Sequence, residues 1–295
     1  MIDRRMFLIG AAALAAACAE APVNGNGGQA KQPSPPDFTP ILAGLGANAR
    51  LGIFAIDTGS GRTISHDEAS RFTMCSAFKL PLAAAILAEA EAGRLRLDQE
   101  IAFTRADMVN NSPRVEAALA RGRLTAEQLC AAIVEVSDNA AANLLIARIG
   151  GPAGLTAFAR RHGDTVTRFD RTEPALNYHQ PGEQLDTTTP AAMAGLMRAL
   201  LLGEGLSPAS RARLAGWMEA ATTGRDRLRA GFPAGWRTGD KTGTAGSFNN
   251  DLAIAWPPGH GPILIASFVD APVANHAGRN AAHAAVARLA ASAFG

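Results

Sequence analysis

The stretch Leu51-Gly52-Ile53-Phe54-Ala55-Ile56-Asp57, with Thr58-Gly59-Ser60-Gly61 and Arg62 to His66 after it, decides the architecture. An apolar run, a glycine-containing turn and a short return segment read as a β-hairpin. A hairpin alone is marginal in water, so it needs further strands. The candidates lie far downstream: Trp236 to Thr244, Asp251 to Trp256 and Ile263 to Val269, separated by turns such as Pro257-Pro258-Gly259. The chain between reads as helical. Segments run from Leu80 to Ala92 before Gly93, from Ala126 to Val136 behind the capping box Thr125 to Gln128, and from Ala140 to Ile149. Pro152 opens another helix, and Thr189 to Leu202 and Pro208 to Ala221 follow. Arg279 to Ala293 closes the chain as a helix, apolar at Ala282, Val286 and Leu289. Strands from the two ends must meet. The expected class is α+β: an antiparallel five-stranded sheet with flanking terminal helices in one lobe (about 38–66 and 225–295), an all-helical second lobe (about 67–224), and a site at the junction.

Length and composition fit this. The 295 residues are 47% hydrophobic, enough for a well-buried core. A net charge of +2, from 28 basic and 26 acidic residues, leaves no electrostatic footprint for nucleic acid. Residues 1–21 read as a signal peptide. Arg4-Arg5 precedes Met6-Phe7-Leu8 and a small-residue apolar run to Ala17 that is too short to span a bilayer. The arginine pair resembles a twin-arginine export signal. Cys18 is a candidate for lipid attachment, the only route by which a membrane partner is expected. Residues 22–37, rich in Gly, Asn and Pro, read as a flexible linker. Cys75 and Cys130 remain, too few for a disulfide scaffold, and read as buried free thiols.

Only three lysines occur: Lys31, Lys79 and Lys241. Arginine fills every other basic position, and it cannot give up its proton, whereas a desolvated lysine can. The two lysines of the folded part each sit in a short motif. Ser76-Ala77-Phe78-Lys79 stands where a helix begins, and a spacing of three puts hydroxyl and amine on one face. A serine becomes a nucleophile when a neighbouring base takes its proton. Pro81 lacks an N–H, so a kink or a loosened first turn is expected. Ser137-Asp138-Asn139 lies between two helices. Ser137 can relay a proton, Asn139 can bind a substrate carbonyl, and Asp138 can hold the turn. Lys241-Thr242-Gly243-Thr244 lies on a predicted strand. There Lys241 offers fixed positive charge, Gly243 leaves room for substrate, and the Thr244 N–H can join that of Ser76 in an oxyanion hole. Each motif alone also reads as ordinary capping or edge-strand chemistry; together, in this order, they do not.

The set resembles class A serine β-lactamases over about residues 38–295, which the likeness makes one catalytic domain. Arg171-Thr172-Glu173-Pro174-Ala175-Leu176-Asn177 resembles that family's omega loop. The resemblance implies hydrolysis of the β-lactam amide bond of penicillins and cephalosporins through an acyl-enzyme on Ser76. Lys79 or Glu173 would take the serine proton, Ser137 would protonate the ring nitrogen, and Glu173 with Asn177 would hold the water that cleaves the ester. Asn139, Lys241, Thr242, Gly243 and Thr244 would bind substrate. Arg227 would help hold the substrate carboxylate, because Asn250 stands where many relatives place an arginine. Arg171 and Asp186 would form an ion pair closing the loop; if buried, losing one partner costs about 3–5 kcal/mol. The Glu173–Pro174 bond is expected to be cis. The partners implied are small-molecule β-lactams, with no cofactor and no metal, for an exported, periplasmic monomer.

The chain departs from the family in places. Asn111, before Ser112-Pro113, replaces an aromatic lid. Ala245 and Ala83 stand where relatives place the disulfide partners of Cys75 and Cys130. The rival readings are a penicillin-binding D,D-peptidase and a non-enzymatic β-lactam sensor, and both lack a deacylating glutamate on such a loop.

Overall fold

Apolar side chains alternate along β1 (Arg50–Asp57). Leu51, Ile53 and Ala55 join one core, while Ile56 and the half-buried Phe54 join another. A strand that is apolar on both sides belongs between two layers. It lies there in the computed structural model, which describes residues 36–180 and 182–294. The signal-peptide and Cys18 readings, and the linker up to residue 35, fall outside the described residues.

The remaining strands are β2 (Thr63–His66), β3 (Phe72–Thr73), β4 (Glu100–Ala102), β5 (Arg123–Thr125), β6 (Thr187–Thr188), β7 (Arg237–Ala245), β8 (Phe248–Trp256) and β9 (Ile263–Asp270). The main sheet has the order β2-β1-β9-β8-β7 and is antiparallel throughout. Its central pairing, Arg50 opposite Asp270 through Asp57 opposite Ile263, joins the two ends of the domain. Among the described residues β7 pairs only with β8, which leaves its outer edge without a strand. Two short pairs, β3 with β6 and β4 with β5, brace the helical lobe.

The helices are α1 (Thr39–Leu45), α2 (Lys79–Glu91), α3 (Pro113–Ala117), α4 (Ala126–Glu135), α5 (Asn139–Ile146), α6 (Gly151–Arg161), α7 (Pro190–Leu201), α8 (Pro208–Ala220) and α9 (His276–Phe294). Val286, Ala287 and Ala290 of α9 pack with Leu45 of α1 on one sheet face. The other face, through Leu252, Ile254, Leu264 and Phe268, packs on the helical lobe. At Gly52 a Cβ would stand 2.3 Å from the Phe72 ring, so β1 needs glycine to pass beneath it. α2 runs through the middle of the lobe, and its residues from Lys79 to Leu87 are all buried. A helix apolar all round is a core helix, so the lysine at its start is carried out of water by its neighbours. Truncating Leu82 there to alanine should cost about 2–5 kcal/mol.

The elements that the sequence reading named match to within a few residues; α1, α3 and β3 to β6 were not among them. Ser76, however, lies in a 3₁₀ turn, Cys75–Phe78, that precedes α2. Pro81 is the third residue of α2, where a helix has no partner for an N–H, so the chain needs no kink. The capping box Thr125–Gln128 is present in both halves. Cys75 and Cys130 are free, buried thiols, and burial pushes both up from the usual thiol range.

Candidate active site

Three segments converge at the outer edge of β7: the 3₁₀ turn with Ser76, the α4–α5 turn with Ser137, and the loop carrying Glu173. Asp138 fixes the second of these. Its carboxylate accepts from Ala141 N at 2.9 Å as the N-cap of α5, and from Arg114 N and Val115 N at 2.9 and 3.0 Å. Cys75 and Ser137 adopt left-handed backbone, with φ of +46° and +60°. Such conformations cost about 1–3 kcal/mol each and collect at functional sites.

Lys79 is the hub. Its Nζ donates to Ser76 Oγ at 2.8 Å and to Ser137 O at 2.9 Å, donates to Asn139 Oδ1, and lies 2.9 Å from Glu173 Oε1. Burial pushes the ammonium below the usual lysine range, and the Glu173 carboxylate opposes that. Such a lysine sits closer to the neutral amine a general base must be. Ser76 Oγ donates to Glu173 Oε1 at 3.3 Å, while Asn177 Nδ2 donates to Glu173 Oε2 at 2.6 Å. Both Glu173 oxygens are therefore committed, and the side chain is fully buried.

Ser137 Oγ stands between the two lysines, 3.4 Å from Lys79 Nζ and 3.1 Å from Lys241 Nζ. Lys241 also donates to Thr242 O at 2.7 Å. The sequence reading had it offer fixed positive charge, and its setting is a buried one. Burial, with the charge of Lys79 beside it, pushes the group well below the usual lysine range. An anion arriving there would supply the counter-charge that favours the ammonium.

Gly243, expected to leave room for substrate, has a packing reason as well: a Cβ there would lie 2.4 Å from Met74 O and 3.0 Å from Ala77 N. The missing side chain lets β7 lie against the nucleophile turn. Arg227 is 3% exposed. Its guanidinium donates to Asn250 O and Thr244 Oγ1, both at 2.6 Å, and to Gly243 O at 3.2 Å. Asn250, on the neighbouring strand, donates instead to Thr73 O and Met74 O, each at 2.9 Å.

The loop with Glu173 is tied at both ends. Arg171 Nε donates to Asp186 Oδ2 at 2.6 Å, and Asp170 N and Arg171 N donate to Asp186 Oδ1. The pair exists, yet the Arg171 side chain is 23% exposed, so it is not the buried pair priced above. The Glu173–Pro174 bond is cis. Asn143 clamps the same point, accepting from Glu173 N at 2.9 Å and donating to Glu173 O at 2.8 Å. The sequence reading missed Asn143. Its signal was the spacing of four from Asn139, which puts both amides on one face of α5. Thr223, whose hydroxyl meets that of Thr242 at 2.7 Å, was missed too and carries no such signal. Asn111 supplies no aromatic lid; its amide donates to Ser137 O at 3.2 Å. Among the described residues, no cluster of three or more metal-ligating side chains occurs.

A family profile described as the beta-lactamase enzyme family matches residues 39–294. The carbapenem-hydrolyzing β-lactamase KPC of Klebsiella oxytoca is 44% identical, across 83% of this chain and 84% of that one. The solved structure of a β-lactamase from Xanthomonas campestris is 48% identical with a TM-score of 0.84, covering 88% of this chain and 96% of the other. An ancestral class A β-lactamase, GNCA, gives the same TM-score and identity over 88% of this chain and all of its own. With the Ser76, Ser137, Glu173 and Lys241 segments gathered in one cleft, the chain belongs to the β-lactamase enzyme family, in its class A serine branch.

Proposed function

We infer that this cleft opens the β-lactam ring by covalent catalysis on Ser76 and hydrolyses the resulting ester. Ser76 Oγ attacks the lactam carbonyl, and its proton passes to Lys79, or to Glu173 through water. The N–H groups of Ser76 and Thr244 receive the oxyanion. The carbon–nitrogen bond breaks as Ser137, between the two lysines, protonates the ring nitrogen. Water held by Glu173 and Asn177 then attacks the ester, with Glu173 taking its proton, and Ser76 leaves protonated. Asn139 binds the acylamino group. Lys241, Thr242, Thr244 and Arg227 hold the carboxylate, and Gly243 lets their strand reach Ser76.

One observation carries the hydrolytic reading: a buried carboxylate, fixed on both oxygens, stands 3.3 Å from the Ser76 hydroxyl. A peptidase or sensor that is acylated and stalls needs no such group. Penicillin supplied in thousandfold excess tests this. Complete loss of the lactam supports hydrolysis, and consumption of one equivalent per enzyme overturns it.

The reading extends to the N-terminus. Residues 1–21 direct export, 22–37 tether the catalytic domain 38–295, and a monomer works on β-lactams in the periplasm, free or held by a lipid on Cys18. The physiological result is antibiotic resistance.

A further inference from the structure

Asn111 and Ser137, on two turns that lie against each other, share a left-handed backbone, with φ of +60° at both. Few residues with a side chain adopt it, and asparagine is among those that tolerate it. Such a conformation persists where its surroundings hold it, and here each turn holds the other. Asn139 N donates to Asn111 O at 3.0 Å, Asn139 Nδ2 to Asn110 O at 2.8 Å, and Ala140 N to Ser112 Oγ at 2.9 Å. In return the Asn111 amide donates to Ser137 O at 3.2 Å. That carbonyl already accepts from Lys79 Nζ at 2.9 Å, so one of its two lone pairs meets Lys79 and the other Asn111. The peptide plane after Ser137 is thereby fixed from two sides, and with it the direction in which the residue carries its hydroxyl.

The consequence rests on the hydrolytic reading, in which Ser137 delivers the proton to the ring nitrogen. Ser137 Oγ stands between Lys79 and Lys241, at 3.4 and 3.1 Å, so a small swing of its backbone takes it off one lysine or the other. We propose that Asn111 is a positioning residue for this transfer: its amide holds the Ser137 carbonyl and so aims the Ser137 hydroxyl at the leaving nitrogen. Asn111 is itself exposed and acts through Ser137. An aromatic side chain, which the family resemblance places at this position, has no donor so close to its backbone. As the carbon–nitrogen bond breaks, its electron pair stays on nitrogen. The nitrogen takes the Ser137 proton, and the ammonium of Lys79 or Lys241 returns one to Ser137 Oγ.

The test uses two cephalosporins with the same acyl group, one carrying a methyl at the 3-position and the other a pyridiniomethyl group. In the second, the electron pair of the breaking bond passes through the enamine and expels neutral pyridine, so the nitrogen needs no proton. The methyl compound has no such outlet. The measurement is kcat/KM, which reports the barrier through acylation, for the full-length wild type, Asn111→Gly and Asn111→Asp. Both replacements accept left-handed backbone, and neither a glycine nor an ionised aspartate side chain can donate to Ser137 O. For the methyl compound each variant should fall by about two- to tenfold, the worth of one hydrogen bond read as a rate. The pyridinium compound should be nearly unchanged. An equal fall for both compounds, as loss of structure alone would give, or no fall for the methyl compound, overturns the proposal. Where one variant melts below the assay temperature, the other decides. A wild type that hydrolyses neither cephalosporin refutes the hydrolytic reading instead.

Discussion

Replacing Glu173 with glutamine should separate the two halves of the reaction. The amide keeps the shape of the side chain and its oxygen can still accept from Lys79, while its NH2 faces the Asn177 amide, which must turn over to accept from it; neither atom can take a proton from water. Glu173 has two partners on one oxygen, Lys79 at 2.9 Å and Ser76 at 3.3 Å, and Asn177 on the other at 2.6 Å. Lys79 remains 2.8 Å from Ser76, so a route to acylation survives. A positioned general base is worth about 10²–10⁴-fold. If the wild type turns over at about 10 s⁻¹, a middling enzyme rate, the variant's ester should break down at about 0.1 to 0.001 s⁻¹. Its lifetime is then roughly ten seconds to a quarter of an hour. Intact-protein mass spectrometry after brief mixing with a penicillin should find the whole penicillin mass added on Ser76, because the opened ring stays tethered to its carbonyl. Wild-type turnover with no adduct would refute the role given to Glu173.

Further outcomes follow from the same geometry. Ser76→Ala should fold normally and form no adduct; measurable hydrolysis would remove Ser76 as the nucleophile. Arg171→Ala should lower stability by about 1–3 kcal/mol, since Asp186 keeps its two backbone donors and the arginine is partly solvated. Thermal melting reads this, and an unchanged midpoint would dismiss the pair. His283 is buried between Ser267 Oγ and Asn249 O, at 2.8 and 3.0 Å, and burial lowers its imidazole to about 3 from 6.5. A depressed value means the unfolded chain binds the proton first. The stabilisation is full above about pH 6.5 and is lost as pH falls toward 3, at up to about 1.4 kcal/mol per unit. Denaturant melts at pH 7, 5 and 4 should be steeper in pH for the wild type than for His283→Gln, and equal slopes would contradict this. Turnover should be indifferent to chelators, and a large loss with EDTA would reopen a metal-dependent reading.

The sheet was legible because apolar runs at both chain ends had no other way to find partners. The α4 start was legible from Thr125 and Gln128 because capping is local chemistry. The two- and three-residue strands β3 to β6 were not, since a run that short has no period to detect. Among site residues, the motifs marked Ser76, Lys79, Ser137, Glu173 and Lys241, and the structure brings all five together. What the motifs could not convey was environment. The depth at which Lys241 lies and the reason for Gly243 depend on elements far off in sequence. Arg227 was expected at the substrate carboxylate; only Asn250 O, Gly243 O and Thr244 Oγ1 around it reveal how deeply its guanidinium is held. The meeting of Asn111 with Ser137 is a tertiary contact with no local signature.

The glycine at 243 has a consequence for how such an enzyme can diversify. Its absent methyl sets the spacing between two stretches of main chain drawn from distant parts of the polypeptide, at about the thickness of bare backbone. Any alanine there would have to push the carbonyl of residue 74 aside and pull the paired amide donors out of alignment. Side chains elsewhere on the strand can vary without altering this approach, whereas the distance between the strand and the Ser76 turn is held by an atom that is not there.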